Sequence, residues 1–161
     1  MKGIGHELEQ ALGAVLLRRN RTRLYKDLLD RAPEGVDEHT YPVLSGLTRL
    51  GVPSTAAALG AEIGTDRSRV SRHADRLQRA GLLDRAADPR DARATLLSLT
   101  PKGAEVMAAL RRDLAEHLET MVADWPEGLA EALAEGLRRL VDASGERTRQ
   151  RDSANGLRDS P

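Results

Sequence analysis

Ser54-Thr55-Ala56-Ala57-Ala58-Leu59-Gly60-Ala61-Glu62-Ile63-Gly64-Thr65-Asp66-Arg67-Ser68-Arg69-Val70-Ser71-Arg72-His73 is the stretch whose reading decides the fold. It continues through Leu77 to Gly81-Leu82-Leu83. Leu59 and Ile63 give a short first helix its apolar face. Gly60, Gly64 and Val70 keep small residues where the two helices would cross closely, and a Gly leaves the turn free to take positive φ. Thr65 or Asp66 then caps a second helix, since either side chain accepts a hydrogen bond from the free N–H groups of a first turn. At 100° per residue Val70, Ala74 and Leu77 form a narrow apolar stripe. Ser68, Arg69, Arg72, Arg76 and Arg79 gather in an arc of about 100° on the other side. Arg reads guanine edges bidentately in the major groove and clamps phosphates. A solvated charged face is the plain alternative, with Asp75 and Arg79 as an ordinary i, i+4 pair.

Working outward, Gly81 stands at the αL position where a helix stops. Leu82-Leu83 opens a strand, and Ala94 to Leu99 makes a second with Leu97 and Leu99 alternating against Ser98. Asp88-Pro89 initiates the turn between them. Arg90 and Arg93 stand at its tip, with Asp91 placed to pair with Arg93. Thr100-Pro101 reads as an N-cap followed by Pro at the first helical position. The hairpin is either a plain connector or a wing whose Arg enters the narrow, electronegative minor groove.

Three runs together resemble the MarR family of bacterial transcriptional regulators. They are Arg67-Ser68-Arg69-Val70-Ser71-Arg72 with Asp75-Arg76-Leu77; Ala80-Gly81-Leu82-Leu83-Asp84-Arg85; and Asp88-Pro89-Arg90-Asp91-Ala92-Arg93 leading to Leu97-Ser98-Leu99-Thr100-Pro101-Lys102-Gly103. The third is close to the family's wing signature, Asp-x-Arg followed by a strand ending in Leu-Thr-x-x-Gly. Ala92 departs from it, since many members carry another basic residue there, and His73 is atypical of the apolar pattern. The motifs cover about a third of the chain; the flanking helices fit the family by order and length. The resemblance implies a mainly α (α+β) winged helix-turn-helix fold with N- and C-terminal dimerisation helices. It also implies DNA contacts from Arg67, Ser68, Arg69, Ser71, Arg72, Arg76, Arg90, Asp91 and Arg93.

Composition bounds the rest. At 161 residues one domain is the default. There is no Cys, hence no disulfide, thiolate nucleophile or Cys-ligated metal. No long apolar run or signal-peptide pattern is visible, so the expected location is the cytoplasm, away from membranes. Tyr25, Tyr41 and Trp125 are the only aromatics, which leaves the core to Leu, Val and Ala. Net charge is zero, but its distribution is not even. Residues 54–100 hold eight Arg against six acids, a net of +2, and residues 101–145 hold five bases against nine acids, a net of −4. A locally basic face suffices for DNA when geometry supplies specificity.

Along the chain, a helix is expected from about Gly5 to Leu29 and another from about Glu38 to Leu50, separated by Ala32-Pro33-Glu34-Gly35. The winged helix-turn-helix follows over 54–100. A long helix runs from Lys102 to about Trp125, with Met107, Leu110, Leu114, Leu118, Met121 and Trp125 in alternating three- and four-residue steps, a seam for one partner helix. Leu129, Leu133, Leu137 and Leu140 stripe a last helix ending near Gly145. Residues 146–161 are polar without periodicity and read as a disordered tail. The expected organisation is one domain over 1–145, with segments 1–30 and 101–145 pairing two copies of the chain; packing of the last two helices on each other is the alternative, and both can hold.

His6, His39, His73 and His117 lie far apart and show no metal-ligand spacing. No Ser-His-Asp order or phosphate-cradling Gly loop is present, so no enzyme, cofactor or metal is expected. The resemblance implies a further partner, since MarR-like proteins often bind small aromatic or phenolic anions between dimerisation helices and wing domain. By position Arg18, Tyr25, His39 and Tyr41 are candidates for such a site. The reading is a sequence-specific double-stranded DNA-binding regulator, a ligand-responsive repressor acting as a homodimer on a pseudo-palindromic operator. Its rivals are a ligand-independent DNA-binding regulator and a helical scaffold that binds protein instead of DNA.

Overall fold

The structure, a computed structural model, describes residues 3–156, without the side chains of Arg18, Arg21, Ala92 and residues 147–156. Among the described residues there are seven helices and a three-stranded antiparallel sheet. The chain begins with α1 (Ile4–Leu16) and α2 (Arg18–Asp30), then α3 (Tyr41–Leu50), β1 (Ser54–Thr55) and α4 (Ala56–Ile63). It continues with α5 (Arg67–Arg79), β2 (Leu83–Asp88), β3 (Asp91–Leu99), α6 (Pro101–Val122) and α7 (Leu129–Gly156).

The expected first helix is two. Leu17 takes an extended conformation (φ −55°, ψ 131°) between α1 and α2. The run Arg18-Arg19-Asn20-Arg21 stacks like charges on one turn, and the Asn20 side chain donates to the carbonyl of Ala14 at 2.6 Å. Asn is a residue that competes with helical backbone bonds in this way. The second expected helix starts three residues late, at Tyr41, because Asp37 and Thr40 form a hydrogen-bonded turn. The Asp37 carboxylate accepts from the His39 and Thr40 amides, and the Thr40 hydroxyl accepts from the Asp37 amide and donates to the carbonyl of Gly35. Thr40 is fully buried, and these bonds satisfy it.

The sheet order is β1-β3-β2. Ser54 pairs with Leu97 and Thr55 with Leu96, so the residues opening the helix-turn-helix form a third strand, which the sequence reading lacks. Thr55 then caps α4 by accepting from the Ala58 amide. Gly64 ends α4 at φ 68°, and Asp66 caps α5 by accepting from the Arg69 amide at 2.9 Å. No non-Gly residue among those described has positive φ, so the wing turn at Pro89-Arg90 is not a primed hairpin turn; a register shift at Ala87/Asp88 accommodates it.

Val70, Ala74 and Leu77 of α5 are fully buried, as the stripe predicts. They share a core with Val43, Leu44, Leu59, Leu82, Leu83, Leu97 and Met107. Each such aliphatic side chain contributes about 1.5–3 kcal/mol by leaving water. Thr100 joins the wing to α6: its hydroxyl donates to the carbonyl of Gly81 at 2.7 Å and accepts from the Gly103 amide at 2.9 Å. A Cβ on Gly103 would lie 2.0 Å from the carbonyl oxygen of Leu82, so only glycine fits there. This is the physical meaning of the Thr-x-x-Gly spacing.

The sequence reading treats 1–145 as one domain, whereas by compactness the chain divides into two units, Met1–Glu116 and His117–Pro161. Among the described residues, the core of the first unit and the side chains packed on it run from Tyr25 to Leu114. In the first unit α1 buries nothing: Ile4, Leu8, Leu12, Val15 and Leu16 are exposed. In the second, Leu118, Met121, Trp125, Leu129, Leu133, Leu137 and Leu140 are exposed. The last helix does not stop at Gly145 but continues through Gly156, where a disordered tail was expected. Glu146, Arg147, Gln150 and Arg151 have good intrinsic helix propensity, and an established helix adds residues cheaply without an apolar stripe. The remainder of the expected tail, 157–161, lies outside the described residues.

Candidate nucleic-acid interface

Helix α5 carries different work on each side. Taking its buried stripe as the inner face, 100° per residue puts Ser68, Arg72 and Arg79 roughly opposite, on the outer face. Arg69, His73 and Arg76 fall on one flank, and Ser71, Asp75 and Gln78 on the other. The contacts agree. On the first flank Arg76 is paired with Asp37 of the turn before α3, and the His73 ring lies against His39 of the same turn. On the second flank Arg85 of β2 donates to Asp75 at 2.7 Å and to the carbonyl of Ser71 at 3.0 Å.

Arg67, Ser68, Arg69 and Arg72 are exposed near the start of α5, so the structure brings these candidates together. Arg69 also lies 3.2 Å from the capping carboxylate of Asp66, a pairing between exposed groups that yields readily to a stronger partner. Ser71 is half-buried. Arg76 stands apart from the others, because its guanidinium is engaged within the chain. Its partner is unusual: burial alone would raise the Asp37 carboxyl, but the hydrogen bond from Arg76, the Thr40 and His39 amides and the charge of Arg76 together lower it to about 2.

At the wing, Arg90, Asp91 and Arg93 are exposed. Asp91 does not pair with the Arg93 guanidinium. Its carboxylate accepts from the Arg93 backbone amide at 2.9 Å, as Asp88 accepts from the Arg90 amide at 2.9 Å. The two acids thus shape the turn and leave both Arg side chains free of them. Arg85, absent from the sequence candidates, ties the wing to α5. It faces inward with Leu83 in the period of two along β2, and its side chain is 28% exposed. An Arg at an inward strand position needs a partner, and that was the available signal.

A cleft of about 920 Å³ opens in the first unit. Of the four ligand candidates, Tyr25, His39 and Tyr41 line it, while the Arg18 side chain lies outside the described residues. The Tyr25 and Tyr41 rings are 5.4 Å apart, tilted by 46°. Burial, then Tyr25, raises the Tyr41 hydroxyl above its ordinary value, so it stays protonated at neutral pH. Arg69 and His73 also line the cleft, which therefore reaches the flank of α5. Lys26 is paired with Asp30, and Arg49 with Glu62 at 2.9 Å. Among the described residues no helix is long and apolar enough to cross a membrane.

Comparison with known proteins agrees with this geometry. Residues 34–94 match the MarR family. The chain is 28% identical over 123 residues to the uncharacterized HTH-type transcriptional regulator YxaD of Bacillus subtilis, covering 76% of this chain and 85% of that one. The PcaV transcriptional regulator from Streptomyces coelicolor, solved in complex with its natural ligand, superposes with a TM-score of 0.57 at 27% identity, over 88% of this chain and 91% of that one. A MarR family protein from Bacillus stearothermophilus superposes with a TM-score of 0.74 at 19% identity, over 88% and 96% of the two chains, a likeness of fold.

Proposed function

Because residues 34–94 of this chain match the MarR family, we propose that it represses transcription as a homodimer on a pseudo-palindromic operator. Helix α5 enters the major groove, where Arg69 and Arg72 read base edges and Arg67, Ser68 and Ser71 meet the backbone. The wing lies in the adjacent minor groove, with Arg93 inserted and Arg90 on a phosphate. Asp91 shapes the tip, and Arg76 serves as a tie inside the protein. The observation that carries this reading is Arg85, which fastens the strand behind the wing to the middle of α5, so that two sets of exposed Arg side chains form one head. The exposed apolar stripes of α1 and α7 support a second copy of the chain as the partner that covers them.

Footprinting on fragments selected from the source genome tests the reading. Arg69→Ala or Arg72→Ala should cost about 1–3 kcal/mol of specific binding and relax sequence preference. Arg93→Ala should lose the preference for A·T at the outer edges of the site. Arg90→Ala should weaken all sequences alike and lower the salt slope by about one. Parent-like binding by all four variants overturns the assignment.

We further propose the cleft as the effector site, by the ligand complex of PcaV and the tyrosine pair. One observation favours the rival, ligand-independent regulation: the cleft's described bases Lys26, Arg49 and Arg69 each already hold a carboxylate of this chain. Phenolic carboxylates that raise the melting temperature and lower operator affinity in the parent, and do neither in Tyr41→Ala, decide for the effector reading.

A further inference from the structure

His39 and His73 stack with ring centroids 6.0 Å apart and planes inclined by only 8°. Beside them Asp37 grips Arg76. Two side chains of one short turn thus hold two side chains spaced by three residues on α5, one by ring contact and one by charge. The His73 Nδ1 is buried and has no hydrogen-bond partner. In a neutral ring that nitrogen is a lone pair left unused, provided the proton sits on Nε2. In an imidazolium both nitrogens carry N–H donors, and the one on Nδ1 would be a buried donor with nothing to receive it.

The charges around the pair disfavour the imidazolium. On α5 itself Arg69, Arg72 and Arg76 are all positive. From the turn come His39, Asp37, already engaged with Arg76, and Glu38, which lies 3.4 Å from the Nε2 of His39. Across the cleft the groups of α2, α3 and α4 are the internally paired Lys26–Asp30 and Arg49–Glu62. Burial first, then His39 and Arg76, hold His73 below the ordinary imidazole range, with Asp37 pulling the other way. A proton taken up by His73 adds a positive charge among these Arg side chains and a buried donor at Nδ1, and parting of the rings would relieve both.

We propose that the His39–His73 stack is a proton-operated clasp: closed, it sets the flank of the DNA-reading helix, and acidification opens it at the expense of sequence-specific binding. The proposal rests on the assignment of α5 to the major groove. Opening adds positive charge near α5 while loosening its placement, so the two kinds of DNA respond differently. Affinity for the operator falls, and affinity for unrelated duplex, which follows charge, does not.

The test uses the full chain, with operator and scrambled duplex measured by fluorescence anisotropy between about pH 5.5 and about pH 7.5. The ratio of operator to scrambled affinity should fall by about tenfold on acidification in the parent and stay level in His73→Gln, whose amide cannot titrate. An equal fall in parent and His73→Gln overturns the clasp. A separate NMR titration of the imidazole and backbone signals does not depend on DNA. His73 should titrate at higher pH once His39 is replaced by Gln, and the α5 amides should shift with its protonation. Independent titration of the two rings, or α5 amides that do not respond, overturns the proposal. Absence of any operator preference at neutral pH with a coupled titration intact means instead that α5 does not read DNA.

Discussion

Arg85 and Asp37 hold α5 from opposite flanks, one from the wing and one from the turn before α3. Arg85→Ala leaves Asp75 and the Ser71 carbonyl without their donor. A charge-assisted bond lost from a partly buried site costs about 1–3 kcal/mol, which urea denaturation should read. Arg85→Lys keeps the charge but loses the forked geometry, so it should recover only part of that loss. Asp37 gives a pH signature of its own. Its carboxyl, held at about 2 in the folded chain, binds a proton more readily when unfolded. The stability it contributes is complete above the unfolded value near about 4 and disappears as pH falls toward about 2. Asp37→Asn should flatten the stability profile over that window. A profile that falls as steeply in the variant as in the parent would remove Asp37 as its source. These two residues were not equally readable. Inward-facing Arg85 follows from the period of β2, whereas Asp37 and Arg76 are 39 positions apart and no local pattern joins them.

At the scale of elements, local chemistry was legible at several caps and one special backbone angle, though not at Thr55, which caps α4. Asp66 before α5, Gly81 after it and Thr100 before α6 stand where the sequence places them. The break at Leu17 was hidden because apolar spacing continues across it, and the competing bond from Asn20 becomes visible only in the folded chain. Strand β1 was hidden for another reason: two residues are too few to show alternation, and its pairing to Leu96 and Leu97 is a long-range fact. The junction of wing and α6 gives a sharp prediction. Gly103→Ala forces a Cβ into the carbonyl of Leu82, backbone against backbone with no flexible side chain to give way. It should destabilise the chain by about 3 kcal/mol or more, seen as a lowered urea midpoint. Gly136→Ala, where an added Cβ meets nothing within 4 Å, should be neutral or mildly stabilising.

At the scale of the whole molecule, the exposed stripes are the unsatisfied part of the structure. Leu133 and Leu137 lie on α7, and Leu8 and Leu12 on α1. Light scattering should give a mass near twice the 17.5 kDa of one chain. Replacing Leu133 and Leu137 together by Asp should return a single-chain mass and abolish protection of a paired site whose halves lie about 10 bp apart. A parent that remains single and still protects such a site would defeat the dimer. One compositional accident makes these measurements simple. Trp125 is the chain's only indole, it is exposed in the single chain, and it lies outside the winged head. The two phenols, Tyr25 and Tyr41, both line the cleft. The protein therefore comes already labelled. Emission excited at the red edge reports on the second unit alone, and the tyrosine signal on the cleft alone. Assembly and cleft occupancy can be followed in one cuvette without attaching a dye.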